Sequence, residues 1–458
     1  MEIAHDPAAL PAIAPDAARV RPFEVSHRGV LAIALPMTFA YLSTPLVGLV
    51  NTAVIGQLGD AALIGGIAVG AIIFDIVFTT FNFLRSGTTG LAAQAHGAHD
   101  PAELEAIFWR ALILALLAGA LVLLFHPLLL AAALALIGGS DAVRDATATY
   151  YGIRVLATPF ALGNYVILGW LIGFGRAGRT LLLQTVLNGL NIALSILLVS
   201  GWGYGVVGVA WAAFAAETAT FAIGMLLALR LMGGSVRPDR ARVLDWQPFR
   251  RMIAVNGDIM VRSFALLFAF AFFTAKSAGA GDVVLAANQV LLTLFFVGSY
   301  FLDGLATAAE QFAGRAVGAR YRPAFERSLA LTIGWGFAVA AAASLVLWFA
   351  GPAIIDAMTT NAEVREAARA YLPYAALTPL VGTLAFQMDG VFIGATWSSD
   401  MRNMMLLSLA LYLAVWWALT PVLGIDGLWI ALLVFLGIRG ATLLWRCLRR
   451  IGPAFGGG

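Results

Sequence analysis

The chain has one cysteine, Cys447, and one lysine, Lys276, among 458 residues. A single cysteine excludes an internal disulfide framework. The lysine sits in FFTAKSAG (272–279) with no glycine run before it. The phosphate-cradling pattern G-x-x-x-x-G-K is therefore absent, which excludes P-loop-driven transport by this chain alone. None of the five histidines falls in H-E-x-x-H, and no G-x-S-x-G elbow exists, so nothing points to an enzyme. His96 and His99, followed by Asp100, have metal-like spacing, but a zinc site needs more ligands, and a solvated loop is the expectation. No metal or organic cofactor is called for. Charge is scarce as well: 12% of residues are charged and 61% are hydrophobic, with a mean hydropathy of +0.89. Soluble domains carry about 25% charge, so the composition is that of a polytopic, all-α membrane protein. The net charge of +3 comes from 27 arginines and one lysine against 25 acids. It belongs to loops and implies no nucleic-acid partner. Residues 1–29 are Ala/Pro-rich and lack an apolar signal core, which reads as a cytoplasmic tail.

Apolar segments of spanning length occur twelve times, near 30–54, 61–85, 104–124, 147–174, 180–200, 206–231, 250–275, 282–311, 326–350, 367–396, 403–421 and 427–447. Residues 125–138 read as a short interfacial piece. A charged, Gly/Pro-containing linker covers 232–249, separating an N-lobe (30–231) from a C-lobe (250–450), with a short tail at 451–458. Arginines cluster on the side that holds the linker. The opposite loops carry only Arg144, Lys276, Arg365 and Arg369, so both termini are expected in the cytoplasm. Four matches recur at nearly constant offset. Gly97-Ala98 returns as Gly318-Ala319, Thr158-Pro159 as Thr378-Pro379, Gly205-x-x-Gly208 as Gly424-x-x-Gly427, and Gly59-Asp60 as Gly281-Asp282. Six spans per half return the chain to its starting side, so the halves read as parallel repeats about an axis along the membrane normal, enclosing a central cleft.

The polar residues inside the spans are ordered. In the eighth span Gln289, Thr293, Tyr300, Asp303, Thr307 and Glu310 fall at spacings of 4, 7, 3, 4 and 3, one face of a helix. The second span repeats this face as Asp75, Thr79, Asn82 and Ser86, and the fifth span carries Gln184, Asn188, Asn191 and Ser195. A carboxylate at mid-depth costs about 2.5–3.5 kcal/mol on insertion scales, so such residues should face a protected interior or a water-filled cavity. Asp75, Asp303 and Asp389 lack a sequence-local partner and are the first candidates for the cavity, with Glu217 beside them. Asp258 and Arg262 are spaced as an intrahelical pair, which leaves Asp258 open between tolerated burial and a cavity role. Glu310, near the cytoplasmic end, reads first as a snorkelling or loop-pinning group. Asn51 lies on one face of the first span, whose Pro36 and Pro45 favour a bend or hinge.

The runs LVNTAVIGQLGD (49–60), FLRSGTTGLAAQAHGAHD (83–100), NGDIMVRS (256–263), YFLDGLATAAEQFAG (300–314) and MDGVFIGATWSSDMRN (388–403) resemble the DinF branch of the multidrug and toxic compound extrusion (MATE) transporters. The resemblance covers roughly residues 28–450. It implies two six-helix lobes around a cleft, alternating access, and export of amphipathic, often cationic compounds in exchange for H⁺ or Na⁺. This sequence departs from the family at the first-span V-D-T run, where Asn51 stands, and at the fifth-span N-x-x-x-D pattern, which ends on Ser195. An amide takes up no proton near neutral pH. Either Asp75 or Glu217 then supplies the N-lobe carboxylate, or coupling moved to Asp258, Asp303 and Asp389, or the protein is uncoupled. The ion-coupling candidates are therefore Asp75, Glu217, Asp258, Asp303 and Asp389. The cavity-lining candidates are Asn51, Thr79, Asn82, Gln184, Asn188, Asn191, Tyr300 and Glu310. The reading is a monomeric, proton-coupled exporter of cationic amphipaths. A lipid-linked precursor flippase would keep basic residues in the cavity, and a membrane scaffold would fill the space between the second and eighth spans with bulky apolar groups.

Overall fold

The computed structural model describes residues 20–137, 140–233 and 239–456. Twelve helices among them are long and apolar enough to cross a bilayer, and the described residues form no strand. The first six spans are His27–Gly56, Ala61–Gly97, Pro101–Leu136, Asp141–Gly173, Ala177–Gly201 and Gly205–Leu231. The second six are Trp246–Gly279, Asp282–Gly318, Arg322–Met358, Ala362–Gly394, Ser398–Leu423 and Ile425–Ala454. In lipid every backbone polar group must be paired within its own segment, which is why an apolar run of this length becomes a helix. Polar caps start several of them. Ser26 Oγ accepts from the Gly29 amide at 3.1 Å, Asp60 from Ala62 at 2.8 Å, and Asp245 from Gln247 at 3.0 Å.

Three boundaries differ from the sequence reading. The interfacial piece expected at 125–138 does not form. The third helix runs unbroken to Ile137 with Pro127 inside it, because no polar stop interrupts the apolar run; residue 138 lies outside the described residues. The seventh span begins at Trp246 rather than 250, where the Asp245 cap decides the start. The second span, read as one piece, is interrupted at Asn82 between Ala61–Phe81 and Phe83–Gly97. The first helix passes through Pro36 and Pro45 without a break. Residues 1–19 of the N-terminal tail, 234–238 of the linker and 457–458 at the C-terminus lie outside the described residues.

The repeat is built into the closest helix contacts. Gly169 and Gly173 of the fourth span sit against the carbonyls of Arg85 and Thr89, so that a Cβ at either glycine would collide with them. Gly390 and Gly394 of the tenth span meet the carbonyls of Ala306 and Glu310 in the same way, each partner 221 residues later. Small residues spaced by four let two backbones touch, the main source of helix association where lipid removes the hydrophobic incentive. Between the lobes the contact is reciprocal. Gly97 lies on the Arg315 carbonyl, and Gly318 on the Gln94 carbonyl. That is the signature of a two-fold axis passing between the second and eighth spans. His99 and Arg320, also 221 apart, both adopt φ 51° in the turns that follow.

The lobes are sealed at the end that bears the termini. There Gln94 Nε2 donates to the Gly394 carbonyl and to Thr396 Oγ1, both at 3.0 Å. Arg251 donates to Gln94 Oε1 and Thr396 Oγ1, both at 3.1 Å. The lead-in to each lobe crosses to the other. The Arg21 amide donates to the Ala319 carbonyl at 3.0 Å, with Arg315 over the Phe23 ring at 4.1 Å. Symmetrically, the linker's Arg242 meets Asp100 at 3.3 Å, and the buried Arg110 donates to the Arg242 carbonyl at 2.6 Å.

Candidate functional site

A cavity of about 350 Å³ lies between the lobes above this seal. The N-lobe contributes Tyr41, Asn82 and Arg85, and the C-lobe supplies Arg262, Tyr300, Asp303, Thr307, Glu310, Asp389 and Arg439. Phe270, Phe295, Phe296 and Phe386 form its apolar wall. Open space thus occupies the region between the second and eighth spans that a scaffold would fill.

Three arginines and three acids meet here. Asp389 accepts from both Arg262 and Arg439, and both guanidinium groups use the same oxygen, Oδ2. Its Oδ1 is buried without a partner, as are the Nε atoms of both arginines. Glu310 is 3% exposed and lies 4.0 Å from Arg85 across the lobe boundary. Asp303 stands in the field of Arg85, Arg262 and Arg439. Tyr41 of the first span shares a 2.9 Å hydrogen bond with Thr307 of the eighth. Arg85 itself is steadied by Asn82, whose Oδ1 accepts from its Nε at 3.3 Å. Asn82, where the helix is interrupted, thus holds Arg85 in the cavity lining.

The sequence candidates separate into distinct groups. Tyr300, Asp303, Glu310, Asp389 and Asn82 line the cavity. Glu310 is not a snorkelling group, because burial beside Arg85 removes it from the interface. Gln289 and Thr293, from the same stripe, are exposed. Asp258 corrects two expectations, since it neither lines the cavity nor pairs with Arg262. Ser398 donates to it at 2.8 Å and Arg402 at 2.5 Å, which ties the seventh span to the eleventh. Helical spacing identified the neighbour on the same helix, whereas the packed partner helix offered a better one. Asp258→Asn is accordingly expected to lower thermal stability by about 1–3 kcal/mol through the weakened charged hydrogen bonds. Transport kinetics in vesicles should not change, and a changed cargo affinity would contradict this placement.

Asn51, Gln184, Asn188 and Asn191 form a ladder between the first and fifth spans, away from the residues that line the cavity between the lobes. Asn51 donates to Asn191 at 3.3 Å, Gln184 to Asn188 at 3.2 Å, and Asn188 to Ser43 at 2.7 Å. Amides hydrogen-bonded across helices hold spans together in lipid. A second polar cluster sits in the N-lobe. Glu217 accepts from Asn164 at 2.7 Å, and Arg154 donates to the Tyr150 hydroxyl at 2.6 Å while stacking over Phe74 at 4.5 Å. Asp75 is exposed on the second span within the field of Arg154, and Thr79 lies one turn further on, half-buried. Asp100 caps the third span through the Glu103 amide at 2.9 Å besides holding Arg242. The sequence reading missed Arg85 and Arg439. Their signal was present, since each is an arginine far inside an apolar span, and such residues mark functional sites by default.

The MatE family model matches residues 36–197 and 259–418, once in each lobe. The chain belongs to the MatE family. It is 40% identical over 441 residues to DNA damage-inducible protein F of Escherichia coli, with 94% of each chain covered. It is 29% identical to the probable multidrug resistance protein NorM of Deinococcus radiodurans, covering 92% of this chain and 95% of that one. Among solved structures, MATE in its bent conformation superposes with a TM-score of 0.85 at 18% identity, covering 93% and 96% of the two chains. A MOP superfamily transporter from Pyrococcus furiosus gives 0.84, also at 18% identity and with the same coverage. Membership in the MatE family makes this chain a multi-pass efflux transporter that acts on small molecules in the membrane. Each match of the family model falls within one of the two halves that the glycine contacts relate and spans the first five of its six helices.

Proposed function

We propose that the protein exports amphipathic organic compounds across the bacterial inner membrane by alternating access, in exchange for protons, as a monomer with both termini in the cytoplasm. The observation that carries the coupling is Arg85 of the N-lobe facing Glu310 and Asp303 of the C-lobe inside the cavity. A proton on either acid removes an attraction that bridges the lobes, so ion loading and lobe separation become one event. Three guanidinium groups around these acids disfavour a hard cation such as Na⁺ more than a proton, which needs one oxygen and no coordination shell. Asp75 and Glu217 remain the N-lobe carboxylates nearest in role to those that Asn51 and Ser195 replace. The arginine bias of the terminus-bearing side supports the orientation.

The expectation of cationic cargo came with the family resemblance. The cavity instead balances three arginines against three acids, so net charge does not select a cation. Export of a dye from proteoliposomes tests the coupling when a pH gradient and a Na⁺ gradient are imposed separately. Efflux should respond to the pH gradient alone. Response to neither gradient, with dyes of either charge, would overturn the reading.

A further inference from the structure

We infer that the cavity takes cargo with an anionic headgroup on an apolar body, and that Arg262 and Arg439 receive the headgroup. This rests on the export reading and names the substrate class of the same cavity. Each arginine carries five N–H donors, and Asp389 accepts from both through one oxygen only. Arg439 is 2% exposed, and both arginines keep a buried Nε unpartnered. Buried donors without partners are rare and call for an acceptor. One carboxylate between two guanidinium groups leaves N–H donors unspent, which a carboxylate, sulfonate or phosphate can accept from and a cation cannot. The planar guanidinium fork suits these oxyanions in particular. Asp303 offsets the charge from the eighth span but makes no hydrogen bond to either arginine among the described residues, so it does not consume the donors. Phe270 and Phe386 stand in the same cavity, where an aromatic or aliphatic body would lie.

Two probes with one body and opposite heads test this directly: pyrenesulfonate and pyrenemethylammonium. Binding is measured by equilibrium dialysis against the purified full-length protein in a neutral detergent. The sulfonate should bind at least tenfold more tightly than the ammonium. Arg262→Gln should bring that ratio close to one, while Arg262→Lys should restore part of it, which separates headgroup recognition from a folding defect. A ratio of one or below in the wild-type protein overturns the inference, as does a ratio unaltered in Arg262→Gln. Failure to bind either probe also overturns it. Gradient-driven export of the ammonium twin in proteoliposomes would then show that the export reading stands without it. The source of the headgroup is resolved by competition. Displacement of the sulfonate by phosphatidylglycerol, but not by phosphatidylcholine, supports the inference with a lipid as the ligand; displacement by soluble aryl carboxylates alone supports it with a small organic anion.

Discussion

Replacing Gly97 and Gly318 together with alanine is expected to open the terminus-bearing seal and reduce efflux at least tenfold. Each added methyl would collide with a carbonyl of the opposite lobe, Arg315 in one case and Gln94 in the other. Overpacking a close contact costs about 1–3 kcal/mol. Two such contacts on one axis, at about 1 kcal/mol each, would shift the sealed-to-open equilibrium by roughly thirtyfold. Neither glycine's collision involves its own lobe, so the strain falls on the lobe–lobe contact rather than on packing inside a lobe. The measurement is maleimide labelling of a cysteine introduced at Thr396, half-buried within the seal, in a Cys447→Ala background. Labelling should rise about tenfold or more in the double variant, by the same free-energy conversion. Gly48→Ala and Gly178→Ala, which meet nothing within 4 Å, serve as controls and should leave it unchanged. Labelling equal to wild type in the double variant would show that the seal tolerates the methyl groups and that the axis contact is not what closes it.

Glu310→Gln is expected to abolish gradient-driven efflux and, by itself, to destabilise the protein. Glu310 and Arg85 are both in the cavity and 4.0 Å apart, with Glu310 3% exposed. Removing one member of a buried pair leaves the other charge uncompensated, at a cost of about 3–5 kcal/mol. Removing both is far milder, because no charge is stranded. The double variant Arg85→Gln/Glu310→Gln should therefore recover most of the melting temperature while export stays insensitive to the pH gradient. Recovery of stability without recovery of coupling is the diagnostic pattern. If the double variant instead exports normally under a pH gradient, the cross-lobe pair is structural only, and coupling must be sought at Asp75 and Glu217.

The sequence by itself determined the architecture. Lipid leaves a backbone no partners but its own, so twelve apolar runs had to become twelve helices, and their count placed both termini on one side. It also carried the repeat: the offset of 221 that relates Gly97 to Gly318 also relates the pairs Gly169/Gly173 and Gly390/Gly394, which the sequence reading left among undistinguished glycines. Helical period picked out the face that holds Tyr300, Asp303, Thr307 and Glu310, all of which line the cavity. What period cannot supply is the identity of the surface opposite that face. The Gln184–Asn191 stripe has the same spacing as a cavity lining, yet it meets Ser43 and Asn51 on the first span and becomes an interhelical ladder. Asp258 and Arg262 are neighbours on one helix, yet each found a partner on another. The charge balance of the cavity was likewise decided in three dimensions, where Arg85 and Arg439, 354 residues apart, converge on one space. A side chain's direction is local, set by helical geometry, whereas its partner is set by which helices the glycine contacts and lobe packing bring alongside, and that information is distributed over the whole chain.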